Sequence, residues 1–156
     1  MIEGVLPTAL TVADLERSVA FYCDLLGFQI TAMLPPEAER QRWDAYHRAV
    51  SKIPDAVIRV VYLHAPDGKS HLELIEYVAP RLGASSPRSL AEPGVAIVAL
   101  GTTDSAGLVK RLRVAGVDVL SDPVPYESDA GERSLTTYFH DPDGNALCLF
   151  ETLPTE

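Results

Sequence analysis

The chain has 156 residues, 47% of them apolar and 22% charged, a composition that suits a soluble globular domain with a real core. Its net charge of −9 and pI near 4.8 argue against nucleic acid and against an anionic membrane surface, because both need clustered Lys and Arg. No apolar run reaches transmembrane length, the start Met1-Ile2-Glu3-Gly4 lacks the basic region of a signal peptide, and two cysteines, Cys23 and Cys148, make no disulfide framework; the cytoplasm is the expected compartment.

Leu6–Val12 reads as a strand. Asp14 is placed to cap a helix whose apolar positions Leu15, Val19, Tyr22 and Leu26 recur at helical spacing, and Gly27 closes it. Phe28–Met33 reads as the next strand. A segment of roughly 34–55 follows, with Trp43, Tyr46, His47 and Val50 on one helical face. Ala56–His64 is a β-branched run, Ala65-Pro66-Asp67-Gly68 a turn, and His71–Tyr77 a strand. A stretch rich in Pro, Ser, Gly and Ala, 79–93, then links to a second series.

That series replays the first. Val95–Leu100 is a strand, Asp104 caps a helix bearing Leu108, Leu112 and Ala115, Gly116 closes it, and Val117–Leu120 reads as the next strand. Ser134–His140 and Ala146–Glu151 are strands joined by the turn Asp141-Pro142-Asp143-Gly144. The expected fold is α+β, a single domain of two tandem βαβββ modules, about 5–78 and 94–152, forming a curved mixed sheet around a central cavity. The segment at 34–55 is an insert that the second module lacks. Neither sheet buries both faces alone, so the space between the modules is the expected ligand cavity.

Thr11-Val12-Ala13-Asp14-Leu15-Glu16-Arg17-Ser18, Phe21-Tyr22, Leu25-Leu26-Gly27-Phe28, Leu72-Glu73-Leu74-Ile75-Glu76 and Tyr138-Phe139-His140-Asp141-Pro142-Asp143-Gly144-Asn145 together resemble the vicinal oxygen chelate superfamily. That family includes glyoxalase I, methylmalonyl-CoA epimerase, extradiol dioxygenases and the bleomycin resistance proteins. The resemblance covers nearly the whole chain and implies a small-molecule ligand. It also implies a divalent metal held by one ligand from the first and last strand of each module. Those positions here are Pro7, Glu73, Ile97 and Cys148, so one expected ligand of the four remains. A catalytic metal normally needs three protein ligands, and no metal or other cofactor is therefore expected. A rebuilt metal site, the lesser alternative, would draw on His71, two residues from Glu73 on the same face, or on Tyr138 and His140.

Glu73 is the catalytic candidate: a carboxylate among Ile97, Cys148 and Phe150 can act as a base. Its bland alternative is a relic carboxylate bonded to a neighbouring Tyr or backbone group. Trp43, Tyr46 and His47 either pack the insert onto the sheet or touch ligand as a lid. Arg59, inside the run Val57–Leu63, either pairs with a carboxylate or reaches a ligand. His71, Ile97, Tyr138, Cys148 and Phe150 complete the expected ligand-binding set, with Cys148 read as a buried small hydrophobe more than as a nucleophile.

The function expected is metal-independent binding of a small, largely apolar organic ligand, with isomerase, epimerase or cyclase chemistry on Glu73. The rivals are a non-enzymatic protein that sequesters a drug or metabolite, and a glyoxalase- or dioxygenase-like metalloenzyme. Open sheet edges, and the pairing common in the resembled family, imply a homodimer.

Overall fold

The computed structural model describes residues 1, 6–83 and 86–154. The start Ile2-Glu3-Gly4, the expected module boundary at Val5, and Ala84 and Ser85 of the linker lie outside the described residues. The chain divides into two compact units, Met1–Ala84 and Ser85–Glu156.

The first unit runs β1 (Thr8–Val12), α1 (Leu15–Ala20, continued by a π turn through Phe21–Leu25), β2 (Gln29–Leu34), α2 (Arg40–Ser51), β3 (Val57–His64) and β4 (His71–Ala79). Its sheet has the order β1-β4-β3-β2, with β1 parallel to β4 and the other pairs antiparallel. Asp14 accepts from the Arg17 backbone N–H at 2.9 Å and starts α1, and Gly27 ends the helix at φ +79°. One face of β3 and β4 carries Val61, Leu63, Leu72 and Leu74, all buried beneath α1 with Tyr22. The other face carries Ile58, Val60, Tyr62 and Glu73, where the inserted α2 packs on β3. Covering both faces explains why Ile58 and Val60 are as buried as Leu63.

The second unit runs β5 (Ile97–Gly101), α3 (Ser105–Val114), β6 (Val124–Glu127), β7 (Arg133–His140) and β8 (Ala146–Leu153), in the order β5-β8-β7-β6. Both units are thus βαβββ, each with a four-stranded mixed sheet. Glu151 ties α3 to β8: its Oε2 accepts from the Ser105 N–H at 2.8 Å and from the Ser105 hydroxyl at 2.6 Å. Phe139, Leu147, Leu149 and Leu112 fill the core under α3.

One expected strand is displaced. Val117–Leu120 makes only an isolated bridge, Val119 to Phe139, with backbone bonds from His140 to Asp118 and from Leu120 to Tyr138. The ladder then breaks, because Thr137 spends its hydroxyl on the Ser121 carbonyl and Pro123 has no N–H to give. Pairing resumes at Val124–Glu127, opposite Thr136–Arg133.

Candidate functional site

Glu73 lies on β4 with two cross-strand neighbours, Ala9 of β1 and Tyr62 of β3. Tyr62 stands directly across the strand pair from Glu73; burial first, then the charge of Glu73 and hydrogen bonding to it, pushes the phenol above its ordinary range. From α2, His47 comes close enough to feel Glu73 and Asp44. Burial outweighs both and lowers the imidazole below its usual value, so it is neutral at neutral pH. Its ring rests against Trp43, with centroids 4.6 Å apart, and against Tyr46, 4.9 Å apart.

A carboxylate, a phenol, a neutral imidazole and an indole are therefore gathered on one face of the sheet. A proton can leave a substrate for Glu73, and Tyr62 can steady the carboxylate by its hydrogen bond. Three polar atoms of α2 are buried without a hydrogen-bond partner among the described residues: Trp43 Nε1, Asp44 Oδ1 and His47 Nε2. Asp44 Oδ1 is ion-paired with Arg40 Nη1 at 3.9 Å, and the same Nη1 donates to the Ile58 carbonyl at 3.1 Å.

The inward stripe of α2 differs from the expected one. It runs through Arg40, Trp43, Asp44, His47 and Ser51, while Tyr46 and Val50 are 58% and 62% exposed. Neither Asp44 nor Tyr62 was among the expected site residues. His71 shares the face of Glu73 but is exposed, with its ring 6.4 Å from that of His64.

Arg59 takes the carboxylate-pairing alternative, on the opposite face. Its Nη1 and Nη2 donate to Glu16 of α1 at 2.7 and 2.9 Å, and its Nε to the buried Glu76 at 2.7 Å. This network lines an open groove of about 490 Å³ together with Asp14, Arg40 and Arg81.

The remaining expected residues belong to the second unit. Tyr138 and Cys148 are direct cross-strand partners; Ile97 and Phe150 are 42% and 44% exposed. Cys148 is buried, burial pushes its thiol up, and its Sγ donates to the Leu149 carbonyl at 3.5 Å. His140 is buried at the end of β7, with Nδ1 3.1 Å from Asp118 Oδ2.

Two βαβββ units in tandem define the class. The chain belongs to the Glyoxalase/Bleomycin resistance protein/Dioxygenase superfamily, whose family model matches residues 4–149. Among solved structures, a glyoxalase family protein from Bacillus cereus is 20% identical, with a TM-score of 0.78 and 99% of each chain covered. The trypanothione-dependent glyoxalase I of Leishmania major is 23% identical, with a TM-score of 0.62, covering 96% of this chain and 87% of that one. The fosfomycin resistance protein FosX of Listeria monocytogenes, complexed with Mn(II) and sulfate, is 15% identical, with a TM-score of 0.60, covering 97% and 93%. No curated protein matches the chain. At these identities the structural neighbours establish the fold. No helix among the described residues is long and apolar enough to cross a membrane.

The metal that this family implies does not fit the donors present. Pro7 and Ile97 offer no donor, and the Cys148 thiol is turned to a backbone carbonyl with its proton retained. Of the four, Glu73 alone offers a carboxylate oxygen, and a single carboxylate does not hold a catalytic metal. Among the described residues no three His, Cys, Asp or Glu side chains stand together in a way that could hold an ion.

Proposed function

We propose that the chain binds a small organic molecule at the Glu73 face and carries out acid–base chemistry on it without a metal: an isomerisation, epimerisation or cyclisation with Glu73 as the base. One observation carries this reading: Glu73 of β4 stands directly across from Tyr62 of β3, on the sheet face where His47 and Trp43 of α2 pack ring against ring. Such a group can accept a proton from carbon or oxygen and return it elsewhere on the same molecule. The family's breadth supports a small-molecule ligand.

Glu73→Gln preserves the shape of the side chain but cannot take a proton. It is expected to keep the melting temperature within a few degrees and the ligand affinity within a few fold, while turnover falls at least a hundredfold. Turnover retained in this variant would remove Glu73 from the chemistry. A ligand recovered by mass spectrometry chemically unchanged from the unmodified protein would instead favour sequestration, the non-enzymatic reading.

A further inference from the structure

The groove beside Arg59 plays no part in the chemistry assigned to Glu73. At about 490 Å³ it has the size of a small-molecule site, roughly 300–1,000 Å³, and it is open to solvent. Charge is divided along its wall. At one end β1 brings Val12 beside Glu76 of β4, and the chain turns there into α1, so that Asp14 and Glu16 join Glu76 in the wall. These carboxylates share one cation, Arg59, which donates to both Glu16 and Glu76, and this end is left with an excess of negative charge. From Glu76 the strand β4 runs on to Val78, about 7 Å further along, which with Val57 of β3 gives the wall an apolar stretch. β4 ends at Ala79, and Arg81 follows in the wall. Arg81 is exposed and has no hydrogen-bond or ion-pair partner among the described residues. The third cation, Arg40, is anchored on the Ile58 carbonyl and paired with Asp44, so Arg81 is the one whose charge is unmatched.

We propose that this groove binds a small zwitterion whose ammonium and carboxylate are separated by a short apolar chain. The ammonium takes the end where Asp14, Glu16 and Glu76 outnumber Arg59. The chain lies over Val57 and Val78. The carboxylate takes the Arg81 guanidinium, whose parallel N–H groups suit its two oxygens. A plain carboxylate would gain Arg81 but meet the excess of negative charge, and a plain amine would leave Arg81 unmatched. The site is separate from the Glu73 face, because Arg59 and Glu76 lie on the side of the sheet that α1 covers.

The probe is ε-aminocaproate, with hexanoate and hexylamine each carrying one of its two charges. Titration calorimetry at low salt, where screening is least, reads the three affinities. The zwitterion is expected to bind about fivefold more tightly than either relative, the worth of one further exposed charge pair. Arg81→Gln removes a cation that no described residue depends on, and Asp14→Asn removes a charge while keeping a capping side chain on α1. Each should weaken ε-aminocaproate about fivefold without lowering the melting temperature. Hexanoate should lose affinity only in Arg81→Gln, and hexylamine only in Asp14→Asn. Binding of ε-aminocaproate should persist in Glu73→Gln, since Glu73 faces the other side of the sheet. No binding at millimolar concentration, an affinity no greater than that of hexanoate or hexylamine, an affinity untouched by both groove variants, or its loss in Glu73→Gln overturns the proposal.

Discussion

Glu76 is buried, and its charge is tolerated because Arg59 lies over it and is itself held from above by Glu16. The hydrogen bond from Arg59 is the main reason that the Glu16 carboxyl titrates below its ordinary range. A carboxyl with a depressed folded-state pKa contributes stability that is complete above its unfolded value, about 4.3 for Glu, and is lost as pH falls through the folded value. Arg59→Met is therefore expected to destabilise at pH 7 by about 2 kcal/mol. That is below the ~3–5 kcal/mol of a fully buried broken pair, because Arg59 is a third exposed and Glu16 largely so. Melting curves from pH 7 to pH 3 should show the gap between the two proteins closing below about pH 4. A gap independent of pH would remove the ion network from the account. The ligand positions Pro7, Glu73, Ile97 and Cys148 carry a second expectation at this scale. Elemental analysis of the dialysed protein should find well under one equivalent of Zn, Ni, Co, Mn or Fe per chain, and about one equivalent would overturn the metal-free reading. Strand alternation in Leu72-Glu73-Leu74 was enough to set Glu73 apart from its apolar neighbours. Its partner Tyr62 was within reach of the same logic: a turn that closes His64 on His71 forces Tyr62 opposite Glu73. Asp44 was not within reach, because an Asp in a helix reads as solvated until the packing of that helix is known.

At the scale of elements, local chemistry was legible wherever one residue type dictated the backbone. Asp14 and Asp104 cap their helices, and Gly27 and Gly116 sit at φ +79° and +78°. Tertiary choices were less legible. The break at Ser121–Pro123 depends on Thr137 reaching a carbonyl across the sheet, and the edge strand β6, with Pro125 and four exposed positions, shows no apolar alternation to read. The stripe of α2 shifted for the same reason: Arg40 and Arg48 fix the helix by donating to the Ile58 and Ala56 carbonyls, which turns Asp44 inward. The cap of α3 supplies a test of coupling. Gly107 donates its N–H to Asp104 Oδ1 at 2.8 Å, and a Cβ placed there would come 2.1 Å from Asp104 Oδ2. Gly107→Ala gains about 1 kcal/mol of helix propensity and displaces a cap of about the same size, so its net effect is expected near zero. In an Asp104→Ala background the clash is gone, and Gly107→Ala should stabilise by the full ~1 kcal/mol. Urea melts of the four proteins give the coupling directly, and strict additivity would mean that the Asp104 carboxylate swings aside without losing its bond.

At the scale of the whole molecule, the open sheets raise the question of assembly. The edge strands are β1 and β2 in the first unit, and β5 and β6 in the second. β1 and β5, the first strand of each unit, lie at the edge of their sheets, and their sequences are largely apolar. Their outer positions are poorly guarded: Ile97 of β5 is 42% exposed, and no Lys, Arg, Asp or Glu occurs in Thr8–Val12 or Ile97–Gly101. β6 is a second candidate edge, with Val124 and Tyr126 at 55% and 66% exposure. An unguarded edge offers backbone N–H and C=O groups to a second chain, and identical chains close most simply about a two-fold axis. A homodimer is therefore expected, and multi-angle light scattering across a dilution series should give a mass near twice 16.9 kDa at micromolar concentration. Lysine placed on an edge blocks such pairing. Ile97→Lys or Val124→Lys should accordingly return the mass to that of one chain, and which of them does so identifies the edge that pairs. A single monomeric mass for the unaltered protein at high micromolar concentration would rule the dimer out and leave each edge to be covered within one chain.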